Sequence, residues 1–332
     1  MKNKRSSLLA FVIAILCIAY QSCSDSTTSP PQNNAGLTYS NLQPLNKQVD
    51  GIYEAWISVP VHMLDHDDEL YISCGRFNVN PSTGGIIDTN GNPVSLTLKF
   101  KPANINDAED ALITIEPPFD TDTLPGIRLL GGTVTNSAEF LTANLSMTYD
   151  HILGTIAEGF PAATAGYILN TPTSDTTAYN KGLWFTADTN GTSTSLTVMS
   201  IPDTLDWTYQ AWVFEVDRAD HEHIYNMGRF SNPSLADDNQ QCQGNPPSFV
   251  YNKPGHDWIQ PNCPGGGLPD ILNLNTGTYR VVITLEPRTE LAVTNPFFIR
   301  LFEGVISVAG PGTVGNVQNV TALPTATIKI AK

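Results

Sequence analysis

Three blocks of sequence occur twice in this chain, in the same order. Tyr53-Glu54-Ala55-Trp56 leads to Cys74-Gly75-Arg76-Phe77-Asn78, and Tyr209-Gln210-Ala211-Trp212 leads to Met227-Gly228-Arg229-Phe230. Ile113-Thr114-Ile115-Glu116-Pro117 is matched by Ile283-Thr284-Leu285-Glu286-Pro287, and Ile127-Arg128-Leu129-Leu130 by Ile299-Arg300-Leu301-Phe302. Ordered repetition of this kind implies that a whole folding unit was duplicated. A chain of 332 residues has room for two such units, each with a core of its own.

The local patterns are those of strands. Ile52 to Pro60 alternates, with Tyr53, Ala55, Ile57 and Val59 on one face and Trp56 on the other. Leu70 to Val79 returns after the polar turn Asp65-His66-Asp67-Asp68-Glu69. Asn90-Gly91 between alternating runs signals a tight hairpin. Leu112 to Ile115 stops at Glu116-Pro117-Pro118, because proline cannot donate to an interior ladder. Trp212 to Val216, Ile224 to Phe230, Tyr279 to Leu285 and Phe297 to Val308 repeat the scheme, and the tail ends in the alternating Ala326 to Ile330. Windows with helical spacing are almost absent. The expectation is an all-β protein of two tandem β-sandwich domains, 37–148 and 149–332, with 149–193 an insert adding strands to the second.

Lys2, Lys4 and Arg5 precede a short apolar run, Leu8 to Ala19, and then Ser22-Cys23. The layout resembles a bacterial lipoprotein signal, with 1–22 removed and Cys23 lipidated; a secretory peptide cut near Ser22 or Ser24 is the alternative. Residues 24–36 hold no large apolar side chain and read, with Cys23, as a flexible tether. Loss of the leader leaves 14 of the 17 Lys and Arg against 32 Asp and Glu, a formal charge of −18. That sign argues against nucleic acid as a partner and suits a body held at a membrane by acyl chains alone. In an exported chain Cys242 and Cys263 can pair across a Gly- and Pro-rich loop, which contributes about 3 kcal/mol in the chain-entropy model. Cys74, within an alternating run, reads as a buried free thiol.

Tyr-x-x-Trp, a hairpin, Gly-x-Phe and a strand ending Glu-Pro together resemble the extracytoplasmic domain of anti-sigma-K factors, and more closely still the related domain of duplicated, exported bacterial proteins. The resemblance spans roughly 37–147 and 194–308. It implies a small β-sandwich, brings no catalytic residues, and does not carry over sigma-factor inhibition, which needs a cytoplasmic segment.

Among individual side chains, Trp56, Trp212, Phe77 and Phe230 read as core, since each buried aromatic removes about 150–250 Å² from water. The recurrence of Arg76 with Glu116, and of Arg229 with Glu286, suggests a partly buried ion pair in each copy. His62, His66 and their acidic neighbours, and His221 and His223 with theirs, are solvated turns; divalent-ion binding is the alternative, though no spacing matches a closed zinc site. Asp88-Thr89-Asn90-Gly91 and Asp188-Thr189-Asn190-Gly191 are tight turns, lacking the final acid of a calcium loop. No nucleophile elbow and no phosphate-loop lysine occur. No cofactor is implied. The sum is a non-catalytic cell-envelope lipoprotein, anchored at the outer membrane or cell surface, that serves as a surface or periplasmic binding or structural module, with an unknown protein or glycan as ligand. One competing reading is a hydrolase of envelope polymers using Asp237, Asp238, His256, Asp257 and Asp270; another is an envelope-sensing ectodomain serving a membrane partner.

Overall fold

Sixteen strands form two separate antiparallel sheets in the computed structural model, which describes residues 34–62, 67–170, 179–180, 182–215, 224–237, 253–255, 273–289 and 295–332. In chain order they are β1 (Asn34–Ser40), β2 (Ile52–His62), β3 (Asp67–Val79), β4 (Ile86–Ile87), β5 (Leu96–Thr97), β6 (Asp110–Glu116), β7 (Ile127–Asn136) and β8 (Phe140–Ser146). Then follow β9 (Ala165–Leu169), β10 (Leu183–Trp184), β11 (Trp207–Glu215), β12 (Ile224–Phe230), β13 (Tyr279–Pro287), β14 (Arg300–Val305), β15 (Val314–Asn319) and β16 (Thr325–Ala331). The first sheet runs β4-β3-β2-β6-β7-β8-β16-β1-β5 and the second β10-β9-β15-β14-β13-β11-β12. The fold is all-β, with two curled, β-sandwich-like halves.

The duplication holds at the level of single contacts. Tyr53 lies opposite Phe77 and Tyr209 opposite Phe230, with ring centroids 5.4 and 5.3 Å apart. Each such aromatic pair is worth about 1 kcal/mol beyond the area it buries. Each tyrosine hydroxyl donates to a carbonyl ten residues upstream, Gln43 at 2.9 Å and Met199 at 2.8 Å. A register shift falls before Trp56 in β2 and before Trp212 in β11; a second falls before Thr114 in β6 and before Thr284 in β13. Gly75 and Gly228, beside the first of these, have φ of +116° and +103°, which an L side chain rarely adopts.

Three expectations about organisation need correction. β1 begins at Asn34, so the folded part starts inside the stretch expected to be tether; Ala35 is buried and lies opposite Ile330. The last strand does not belong with residues 149–324. β16 inserts between β8 and β1 of the first sheet, burying Ile328 and Ile330 there. In the second sheet that position beside β15 is taken by β9, from the 149–193 segment. The segment is thus an integral strand of the second sheet, and β15 was not foreseen. Finally, the halves do not have independent cores: buried residues of both sheets join one contiguous apolar cluster, within one compact unit, Asn33–Lys332. Contact between the halves is also polar, since Trp207 Nε1 donates to Arg128 O at 2.9 Å and Arg128 N donates to Asp206 Oδ2 at 3.2 Å.

Candidate functional site

In each half the two central strands are buried on both faces, and the face away from the Tyr–Phe pair carries a polar chain. Trp56 Nε1 donates to Thr114 Oγ1 at 2.8 Å, and Thr114 lies against the Glu116 carboxylate. Trp212 Nε1 donates to Thr284 Oγ1 at 2.8 Å, and Thr284 donates to Glu286 Oε1 at 2.5 Å. Each glutamate also accepts a backbone N–H from the chain that follows, Gly126 at 3.0 Å and Phe297 at 2.8 Å. These bonds satisfy polar groups that would otherwise be costly to bury. Burial raises both carboxyls, that of Glu286 to about 7 against the opposing pull of Thr284 and the Phe297 N–H. The threonines carry no distinguishing signal in the sequence, where an alternating Ile-Thr-Ile reads as an ordinary strand.

The expected arginine partners are corrected. Arg76 donates Nε to Glu54 Oε2 at 2.6 Å and Nη2 to Asp120 Oδ2 at 2.5 Å, leaving Glu116 to its threonine. The physical reason is register: Glu54 sits directly opposite Arg76, whereas Glu116 is a strand further away. Arg229 donates Nε to the residue matching Glu54, Gln210, at 3.0 Å. Its charge still lowers the Glu286 carboxyl, as a lesser influence than burial. Trp56, Trp212, Phe77 and Phe230 are all buried, and Cys74 is a buried free cysteine whose thiol burial pushes up to about 12. Asp88 and Asp188 close their turns by accepting N–H groups of Asn90 and Asn92, and of Asn190, Thr192 and Ser193.

Cys23, Cys242, Cys263, His66, His221 and His223 lie outside the described residues, as do Asp238, His256, Asp257 and Asp270. Asp237 accepts the Gly255 N–H at 2.8 Å. Among the described residues no group of His, Cys, Asp and Glu is placed to hold a metal ion, and no helix is long and apolar enough to cross a membrane.

The feature that sequence reasoning missed lies where the copies differ. On the outer face of the second sheet Phe214 packs with Trp212 and Val282, with Ile224 beside them. Arg280 and Arg300 lie over its ring, 5.0 and 5.8 Å from the centroid, and both guanidinium groups bond Glu303, at 2.9 and 2.8 Å. In the first sheet the registers put Ser58 at the position of Phe214, Tyr71 at Ile224, Asp110 at Arg280, Arg128 at Arg300 and Gly131 at Glu303. The ring and its charged cover are gone, and a cavity of about 170 Å³ stands beside Tyr71, the cross-strand neighbour of Ser58. It is lined by Glu69, Tyr71, Asp110, Leu112, Arg128, Tyr149 and His151.

Tyr149 and His151 come from the turn after β8. A side chain at position 131 would meet the Tyr149 ring, 2.5 Å from the first added carbon, so Gly131 is what lets the tyrosine close the cavity. Tyr149 donates to Asp110 Oδ1 at 2.5 Å and Tyr71 to Glu69. Burial and then the neighbouring carboxylates push both phenols up to about 12, so both stay protonated as donors at neutral pH. His151 meets Tyr149 edge-on, with centroids 5.3 Å apart. The half-buried Arg128 guanidinium forms no hydrogen bond or ion pair among the described residues. A free fork donor, two carboxylates and two phenolic rings therefore face one small space.

Comparison of the chain with family models, with curated proteins and with solved structures returns no match. The second copy is thus the standard against which the first is read, and what it points to is the cavity.

Proposed function

We propose that this protein is an exported, lipid-anchored binding module of the cell envelope, akin to the extracytoplasmic domain of anti-sigma-K factors, with the first half carrying its ligand site. Anchoring rests on the basic start, the apolar run and Ser22-Cys23. The observation that carries the binding reading is the outer-face cavity at Asp110 and Arg128, which the duplicate fills with Phe214 and the Arg280–Glu303–Arg300 group. A duplicated unit that keeps the Tyr–Phe stack and the Trp–Thr–Glu chain in both copies and opens a polar-lined space in one has a use for that space. Its phenols are held neutral and its carboxylates are hydrogen-bonded by them, which suits recognition better than proton transfer.

Two measurements test the proposal. Expression of the full chain in a bacterium with radiolabelled palmitate is expected to label it, and Cys23→Ala to remove the label; label on the variant would end the anchoring reading. The purified body is expected to retain a component of a soluble envelope extract, and Ser58→Phe, which restores the ring of the second copy, to release it. Retention that Ser58→Phe does not alter would place binding elsewhere.

A further inference from the structure

We infer that the first-half cavity accepts a zwitterion the size of a free α-amino acid, with its carboxylate on Arg128 and its ammonium group between Asp110 and Glu69. This rests on the reading of the cavity as a binding site and adds the class of ligand.

The argument is one of charge and size. Arg128 is the wall's one fixed cation, and its guanidinium has no described anion to fork onto, although such a group is matched to a carboxylate in shape and charge. In the second copy the equivalent Arg300 is held by Glu303; in the first, Gly131 supplies no such anion. Asp110 and Glu69 each accept one tyrosine hydroxyl, and an ionised carboxylate has lone pairs left for a second donor. Tyr71 and Tyr149 set aromatic rings beside those carboxylates, which favours a cation over a neutral hydroxyl at that end. The wall thus presents opposite charges around one partly open space, and a ligand with both signs neutralises each locally. At about 170 Å³ the space is below the roughly 300–1,000 Å³ range of drug-sized ligands and fits a molecule of some ten heavy atoms or fewer.

The test is calorimetric titration of the full chain with four probes: L-alanine, its methyl ester, its N-acetyl derivative and glucose. The expected result is saturable heat with L-alanine, at least about tenfold weaker binding of the ester and of the N-acetyl compound, and none with glucose. Arg128→Met should abolish the alanine heat, with the thermal midpoint measured alongside to show that the variant folds. Ser58→Phe should abolish it too. Ester or N-acetyl compound binding as tightly as alanine would overturn the zwitterion assignment. So would binding of glucose alone, while leaving the cavity a binding site if Ser58→Phe removes that heat. Alanine heat unchanged in both variants would overturn the placement. No heat with any probe overturns the ligand class; whether the binding reading falls with it is decided by the envelope-extract retention and its loss in Ser58→Phe.

Discussion

The two halves share a scaffold and differ in what they do with charge. In the first, the site opposite the Gly-x-Phe arginine is Glu54, ionically paired to Arg76, and the outer face is open at Arg128. In the second, the same site is the neutral Gln210, and the outer face is closed by Phe214 under two arginines and Glu303. What is held constant, the Tyr–Phe stack and the Trp–Thr–Glu chain, is what the sheet needs to bury its centre. What varies lies in side chains at the same register positions. The difference therefore separates support from use, which one copy alone would not allow.

The comparison can be broken or sharpened by substitution. The largest effect is expected from Phe214→Ser, which gives the second half the first half's residue and leaves Arg280, Arg300 and Glu303 without the ring beneath them; a loss of about 3–5 kcal/mol in denaturant unfolding is expected. The reverse change, Ser58→Phe, should cost far less because a cavity stands ready, and equal costs would show that the two faces are not equivalent. Next, Arg76→Met leaves the buried Glu54 carboxylate with only the Ser73 hydroxyl and the exposed Lys99 ammonium, 3.7 Å away, and should cost about 3 kcal/mol.

A comparable change is expected from pH alone. Glu286 titrates near 7 in the folded chain against 4.5 for an ordinary glutamate, so the folded state binds the proton more tightly. Its burdening of stability is absent below about pH 4.5, grows as pH rises, and is complete above about pH 7, amounting to about 3 kcal/mol. Thermal midpoints should fall over that window, and Glu286→Gln, which keeps an oxygen for Thr284 and the Phe297 N–H, should flatten the curve. Glu116, raised in the same direction, adds to the slope from the first half. The smallest effects, about 1–3 kcal/mol each, are expected from Thr114→Val and Thr284→Val, which leave a buried indole N–H without its acceptor. These two should match; unequal losses would break the equivalence of the polar chains.

Much of the fold was legible because strand signals are local. Alternation around Trp56 and Trp212, the Asn90-Gly91 turn and the Glu-Pro stops located strands to within a few residues. The candidate site was legible only in part. Its signal lay inside the repeated blocks, where Ser58 faces Phe214 and Asp110 faces Arg280 in the alignment, yet attention to what recurs hides what departs. The recurrence of Arg76 is legible in the sequence, but its partner Glu54 is not, because sequence order does not say which acid stands across the ladder.

The sequence by itself determined that one strand-rich unit is present twice, where most of its strands run, and which aromatics lie at matched positions, since these follow from period-two alternation and from identity between copies. Only the tertiary structure decided that β16, the last strand, completes the first sheet while β9 does the same for the second, and that the two halves share a core. The reason is that an open strand edge needs backbone partners but not particular ones. Any extended segment with one apolar face can supply them, and which segment reaches the gap depends on how the whole chain is folded.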